Sequence, residues 1–329
     1  MAGASLLDWS DLAKATTWGS LILGNGFSIN VWPAFKYDSL FEKAKPNLSG
    51  GAKSIFEALA TTNFEQILKV THYAALTDRA LGRDEAATKA LHAEIRQSLF
   101  DAVRGVHVPH GLLSIDLLAD IAVALNRYRD VYTTNYDLLP YWATMATDDS
   151  RRRIKDRFWT ADHTFDPSNI AVIGDATVVH YLHGGIHLWA NPVSGVTGKW
   201  VLSGDSLLDA SHLSAHPDRV PLLISEASAR KKAEAIRESD YLRMAFEALI
   251  ADSSNVVIFG HSLSKEWDDH IVKAIQMGAR RNVAIGMRAA SATESEQVGL
   301  RERLAPQNVL FFDSATHPLG SDSLHVDAP

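Results

Sequence analysis

SLILGNGFS, Ser20–Ser28, decides how the rest of the chain reads: an uncharged, mostly aliphatic run passes straight into Gly24-Asn25-Gly26, then Phe27 and Ser28. A short apolar run closed by glycine and asparagine is a buried strand ending in a tight turn. Three further runs repeat the arrangement with other punctuation. VYTT (Val131–Thr134) meets NYD, TVVHYL (Thr177–Leu182) meets HGGIH, and NVVIF (Asn255–Phe259) meets GHSLS. VAIG (Val283–Gly286) and NVLFF (Asn308–Phe312) are weaker strands. Apolar residues three and four apart over Ala74–Phe100 and Leu112–Tyr128 predict helices between them. Strands separated by helices predict the α/β class: a Rossmann-like, mostly parallel sheet with helices on both faces.

The 329 residues read as one domain, 1–329. From about Tyr37 to Tyr128 no strand is evident, so 41–128 is expected to be a helical insertion. Thr144–Asp175 reads as an excursion of polar helix and loops, with Arg151, Arg152 and Arg153 on a solvated face. Asn191–Pro221 mixes Gly, Ser and Pro and is expected to be an irregular loop or lid, 191–221.

Composition excludes several classes. Lys and Arg number 32 against 39 Asp and Glu, a formal charge of −7, so nothing draws the chain to nucleic acid. There is no cysteine, which removes disulfides, thiolate zinc sites and cysteine nucleophiles. The N-terminus does not read as a signal peptide, and no uncharged apolar run approaches the roughly 20 residues that span a bilayer. A cytoplasmic protein without membrane association is expected.

Each of the four main strands ends in small or hydrogen-bonding residues, at the edge where open parallel sheets take ligands. Gly24, Asn25 and Gly26 would let backbone amides approach an anion at a helix start, although Ile29 stands where the dinucleotide fingerprint has its third glycine; a plain tight turn is the alternative. Asn135 and Asp137 alternate and could face one side, or could merely cap the next helix. His180, inside its strand, reads as a packing residue, whereas His183 beside Gly184 and Gly185 is open enough for general-base work. A zinc pair of His183 and His187 would need a helix across that glycine pair, so no metal is expected. Gly260 and Ser262 could hold a ribose or phosphate. Glu266 reads as a solvated first-turn acid; the role of Asp268 stays open, with Asp269 and His270 following.

In this order, GNGFS, TTNYD, YLHGG and GHSL resemble the sirtuin motifs: a GAG-type loop with a following serine, TQN-x-D, HG, and a GTSL-like strand end. The resemblance runs from Gly24 to Leu263 in short patches and implies a sheet of sirtuin type. By it, Gly24, Gly26 and Ser28, with Asn25 and Phe27 between them, match the pyrophosphate loop. Asn135, next to Thr134, matches the asparagine that orders the nicotinamide ribose or a water; Asp137 matches the aspartate that holds the carboxamide. His183 matches the catalytic histidine, and Gly260, Ser262 and Leu263 match the adenosine-ribose end. Pro33, Phe35 and Lys36 look like the PDFR element, one residue short in spacing and with Lys for Arg.

The cysteine-held zinc ribbon of the protein deacylases has no counterpart in this chain. The extended motifs, Phe35, Tyr37, Ser39 and Leu40 after the glycine loop, TTNYDLLPYWA, and GHSLSKEWDDHI, are similar to bacterial sirtuin-like proteins, a group that includes antiviral NAD+ hydrolases. The resemblance therefore implies an NAD+ glycohydrolase, with NAD+ as substrate and no metal, acting in antiphage defence. A homo-oligomer, and a partner such as a defence ATPase or nuclease, go with that reading. A non-catalytic NAD+ or ADP-ribose sensor is the alternative, and a deacylase comes third.

Overall fold

Leu21, Ile22 and Leu23 are wholly buried, as are Val256, Val257 and Ile258; strands covered on both faces are apolar throughout rather than alternating. The computed structural model describes residues 5–146, 154–168, 174–202, 204–209, 215–224 and 228–327. Arg151, Arg152 and Arg153 lie outside those residues.

Among them the main sheet has seven strands: β1 (Ser20–Leu23), β2 (Asp130–Thr133), β3 (Ile154–Lys155), β4 (Thr177–Tyr181), β8 (Val256–Phe259), β9 (Asn282–Met287) and β10 (Asn308–Asp313). The order is β10-β9-β8-β1-β2-β4-β3, with every neighbouring pair parallel. Leaving out the edge strand β3, this is the doubly wound order in which the chain first builds one side of β1 and later the other. Leu23 aligns with Thr133 on one side and Phe259 on the other, so the turns after β1, β2 and β8 emerge level with one another.

Between β1 and β2 the chain is helical, with helices at Tyr37–Ala44, Gly50–Ala58, Phe64–Ala80, Ala86–Gly105 and Ile115–Leu125. The single helix expected over Ala74–Phe100 is broken at Leu81–Glu85, where Gly82 takes a positive φ. Three other expectations are corrected. HGGIH is not a plain turn: β5 (Gly184–Ala190) pairs antiparallel with β6 (Thr197–Lys199) and β7 (Val220–Leu223) in a second sheet of three strands. The stretch 191–221 thus carries β6 and enters β7, while Ile154–Lys155, in the expected polar excursion, forms β3. These short pieces take their strand state from pairing, across a short loop between β5 and β6 and over longer stretches for β7 and β3, which composition within each piece does not report.

No single helix among the described residues is long and apolar enough to cross a membrane.

Buried histidines make the fold sensitive to acid. Burial pushes His107 down to about 4 and both His187 and His317 down to about 3, from an ordinary 6.5. The unfolded chain takes up these protons first, so the stabilisation is complete above pH 6.5 and is lost as pH falls toward 4. The thermal midpoint should be flat above that window and drop by ~10 °C or more across it; a midpoint that does not move there contradicts this account.

Candidate functional site

Two turns interlock first. The Gly24 N–H donates to the Phe259 carbonyl at 3.0 Å, and the Gly26 N–H to the Gly260 carbonyl at 2.7 Å. Gly260 has φ +68°, and a Cβ on Gly26 would lie 2.7 Å from its Cα. The glycines are therefore needed where the turns after β1 and β8 press together, and the amides of Gly24 and Gly26, expected to face an anion, are engaged by the neighbouring turn. Phe27 and Leu263 are wholly buried in the core, Leu263 at φ +50°. Neither lines the cavity described below.

Asn135, at the end of β2, is held against this pair of turns. Its Nδ2 donates to the Gly24 carbonyl at 3.1 Å and to Ser28 Oγ at 2.8 Å. A carbonyl only accepts, so the amide orientation is fixed. The Asn135 Oδ1 is left buried with no hydrogen-bond partner among the described residues. Ser28, buried behind it, donates to Asp137 Oδ2 at 2.5 Å, and Asp137 Oδ1 accepts the Leu139 N–H at 2.9 Å. Asp137 thus holds the first amide of the following helix from one position before its N-cap, Leu138, whereas Asn135 takes no part in that helix end. Burial pushes the Asp137 carboxyl up, against the downward pull of Ser28 and the Leu139 amide. The turn is fixed from the helical side by His107, whose Nε2 accepts the Leu138 N–H at 2.9 Å.

His183 follows β4. Its carbonyl accepts the Ile224 N–H at 2.9 Å, and Gly184, at φ +78°, is packed so tightly that a Cβ would meet the Leu222 carbonyl oxygen at 1.9 Å. The space expected beside His183 is therefore filled by β7. The imidazole instead meets His270, from the helix Asp269–Met277, with Nε2 to Nε2 at 2.8 Å.

Asn25, Thr134, Asn135, Asp137, His183, Gly260 and Ser262 come together around one cavity of about 280 Å³. It opens at the ends of β1, β2, β4 and β8, where a doubly wound sheet binds ligands. Gly24, Gly26 and Ser28 support its wall from behind. Phe35 also lines it, and its carbonyl accepts from Asn25 Nδ2 at 3.0 Å; Lys36 is exposed and takes no part in the lining.

Sequence reasoning missed the opposite wall. The helical stretch supplies Phe64, Glu65, Leu99 and Val103; Lys232, His261 and Asp268 complete it. Lys232 is only 2 % exposed, with Nζ 2.6 Å from Glu65 Oε1 and 3.5 Å from Asp268 Oδ1. Burial opposes its charge, but the two carboxylates outweigh that and raise its pKa. Nothing in ARKKAEAIRE distinguishes this lysine from its solvated neighbours. Glu266 is exposed, as expected, but lies in the turn before the helix Asp269–Met277 and not in its first turn, and it pairs with Lys69 at 2.5 Å.

His183, Asp268 and His270 each offer one ligand atom, all within 4.8 Å of one another. Their orientation disfavours a shared cation. The ring centroids lie 5.1 Å apart and the planes differ by 24°, so the separation is the 2.8 Å nitrogen distance plus one ring radius at each end. The two Nε2 atoms point at each other along a line instead of converging on a third point, and the Lys232 ammonium stands beside the carboxylate. His187 packs against Tyr141 and Tyr181 at 4.9 and 4.6 Å. His180 lies flat on Tyr132 with its Nε2 3.0 Å from Asp130 Oδ1, a packing role.

A sequence model described as a domain of unknown function, DUF4917, matches residues 21–319. The chain belongs to the DUF4917 family. All the cavity residues named above fall inside the DUF4917 match, so the site is part of the family domain and not an addition to it. No curated protein matches the chain.

Proposed function

We propose that the chain is an NAD+ glycohydrolase of sirtuin-like type, cleaving the nicotinamide–ribose bond to give nicotinamide and ADP-ribose. One observation carries the reading: the partnerless Asn135 Oδ1 and the His183 imidazole share one cavity at the ligand-binding edge of the sheet. A buried amide oxygen without a partner is costly unless a ligand hydroxyl or a water donates to it. Nicotinamide leaves as a neutral group from a cationic ring, so the reaction needs positioning and a base more than an acid. Asn135 would orient the ribose hydroxyl or the attacking water, and His183 would take its proton. Glu65 and Asp268, only partly offset by Lys232, suit a positively charged pyridinium ring.

The reading departs from the family resemblance in two places. Asp137 reaches the cavity with each oxygen already holding one hydrogen bond, so it would orient the carboxamide through its remaining lone pairs. Pyrophosphate contacts would fall to Asn25, Ser262 and the Gly260 turn instead of the Gly24 and Gly26 amides. Cytoplasmic NAD+ is the proposed substrate pool and antiphage defence the proposed setting. Gating by self-association, or by a defence ATPase or nuclease on the helical stretch, would restrain the activity.

Incubation of the purified chain with NAD+, followed by chromatography, should show nicotinamide and ADP-ribose rising together. Saturable NAD+ binding by calorimetry without turnover would replace the hydrolase by a sensor module.

A further inference from the structure

The head-on contact between His183 and His270 leaves room for one proton between two nitrogens. If that proton sits on His183, its Nδ1 is a bare base; no described residue hydrogen-bonds that nitrogen, and His183 lines the cavity. His270 lies behind it, 5 % exposed, with Phe246 against its ring at 5.9 Å and an Nδ1 that is buried without a partner. A hydrogen bond that joins two buried imidazoles has no evident packing purpose that one imidazole and one apolar side chain would not serve.

We propose that His270 is a positioning residue that makes His183 half of a proton-accepting dyad. This inference rests on the hydrolase reading. As the attacking O–H breaks, its proton goes to His183 Nδ1, and the proton on His183 Nε2 passes to His270 Nε2. The oxygen bonds to the ribose carbon while the carbon–nitrogen bond breaks toward nicotinamide, whose ring becomes neutral. The positive charge moves to His270, beside the Asp268 carboxylate, and leaves to solvent with the products. His183 alone would have no second nitrogen to pass the proton to, although burial and Lys232 hold His270 down as well, to about 3, against the pull of Asp268 and Asp269.

The charged and titratable groups facing the dyad are Lys232 from the helix Ala229–Glu238, His261 from the turn after β8, and Asp268 and Asp269 from the start of the His270 helix. Burial, then Lys232, His270 and His261, hold His183 well below its usual range. In the dyad His270 is neutral until it accepts the proton from His183 Nε2, so removing it takes away the acceptor that stabilises the protonated pair, and the acidic limb of the rate profile should move to lower pH.

The test compares His270→Gln and His270→Phe with wild type, using NAD+ as substrate across pH. Both variants should lower kcat ~10- to 100-fold, leave KM within about twofold, and shift the acidic limb downward; an upward shift, the mark of a like charge removed, overturns the dyad. An unchanged kcat and limb in a folded variant overturns the dyad, as does a raised KM at constant kcat. If wild type does not cleave NAD+, the hydrolase reading fails on its own. The dyad is then judged by nitrogen NMR of histidine-labelled protein: His183 should titrate at lower pH in His270→Phe, and an unaltered or raised His183 titration overturns it.

Discussion

His183→Ala is expected to reduce nicotinamide release by roughly 100- to 10,000-fold, the range for removing a positioned base, with a folded chain remaining. The side chain is 2 % exposed, but its neighbours on β4 and β7 are held by backbone bonds, including Ile224 N–H to the His183 carbonyl, which alanine keeps. Asn135→Ala should be similarly inactive for a different reason. It removes the buried Asn135 amide oxygen that has no partner among the described residues and also releases Ser28 Oγ and the Gly24 carbonyl from their donor. Its loss of activity should therefore come with a loss of stability of ~1–3 kcal/mol. Chromatography of NAD+ time courses and urea unfolding, run on both variants, check the pair; full activity in either removes that residue from the mechanism.

Lys232→Met is expected to be the most destabilising single change on the cavity wall, at about 3–5 kcal/mol. Methionine keeps the apolar stem but leaves Glu65 and Asp268, whose side chains are 13 % and 14 % exposed, facing each other without a cation. Lys232 also ties the helical stretch to the sheet, since Glu65 sits in the first turn of Phe64–Ala80 and Asp268 just before the helix Asp269–Met277. Burial already pushes the Glu65 carboxyl up, so without Lys232 it should take a proton and the deficit should narrow as pH falls. Adding Glu65→Gln should recover part of the stability for the same reason. A urea midpoint equal to wild type at neutral pH would show that the triad carries no structural load.

How far the sequence could be read depended on the range of the interaction involved. Ser20–Leu23 and Val256–Phe259 are strands because both of their faces are covered, and that leaves nearly continuous apolar residues in the sequence itself. The asparagine of NYD and the histidine of YLHGG were legible because each stands immediately after such a run. β5, β6 and β7 were not, since GGIHLWA and TGK become strands only by pairing with each other. The glycine turns were legible as turns, but their purpose was misread: Gly26 is glycine because Gly260 lies against it, a contact more than two hundred residues away.

Sequence alone determined the α/β class, the edge of the sheet at which polar residues gather, and the absence of any cysteine chemistry, because these follow from composition and from residues adjacent in the chain. Tertiary structure decided which groups are free to act. It engaged the Gly24 and Gly26 amides, left the Asn135 oxygen without a partner among the described residues, and brought Lys232 and Glu65 to the cavity and His270 to the far side of His183 from three separate helical segments. Hydrogen-bond satisfaction and buried charge pairing depend on distances across the fold, and no local pattern of residues encodes those distances.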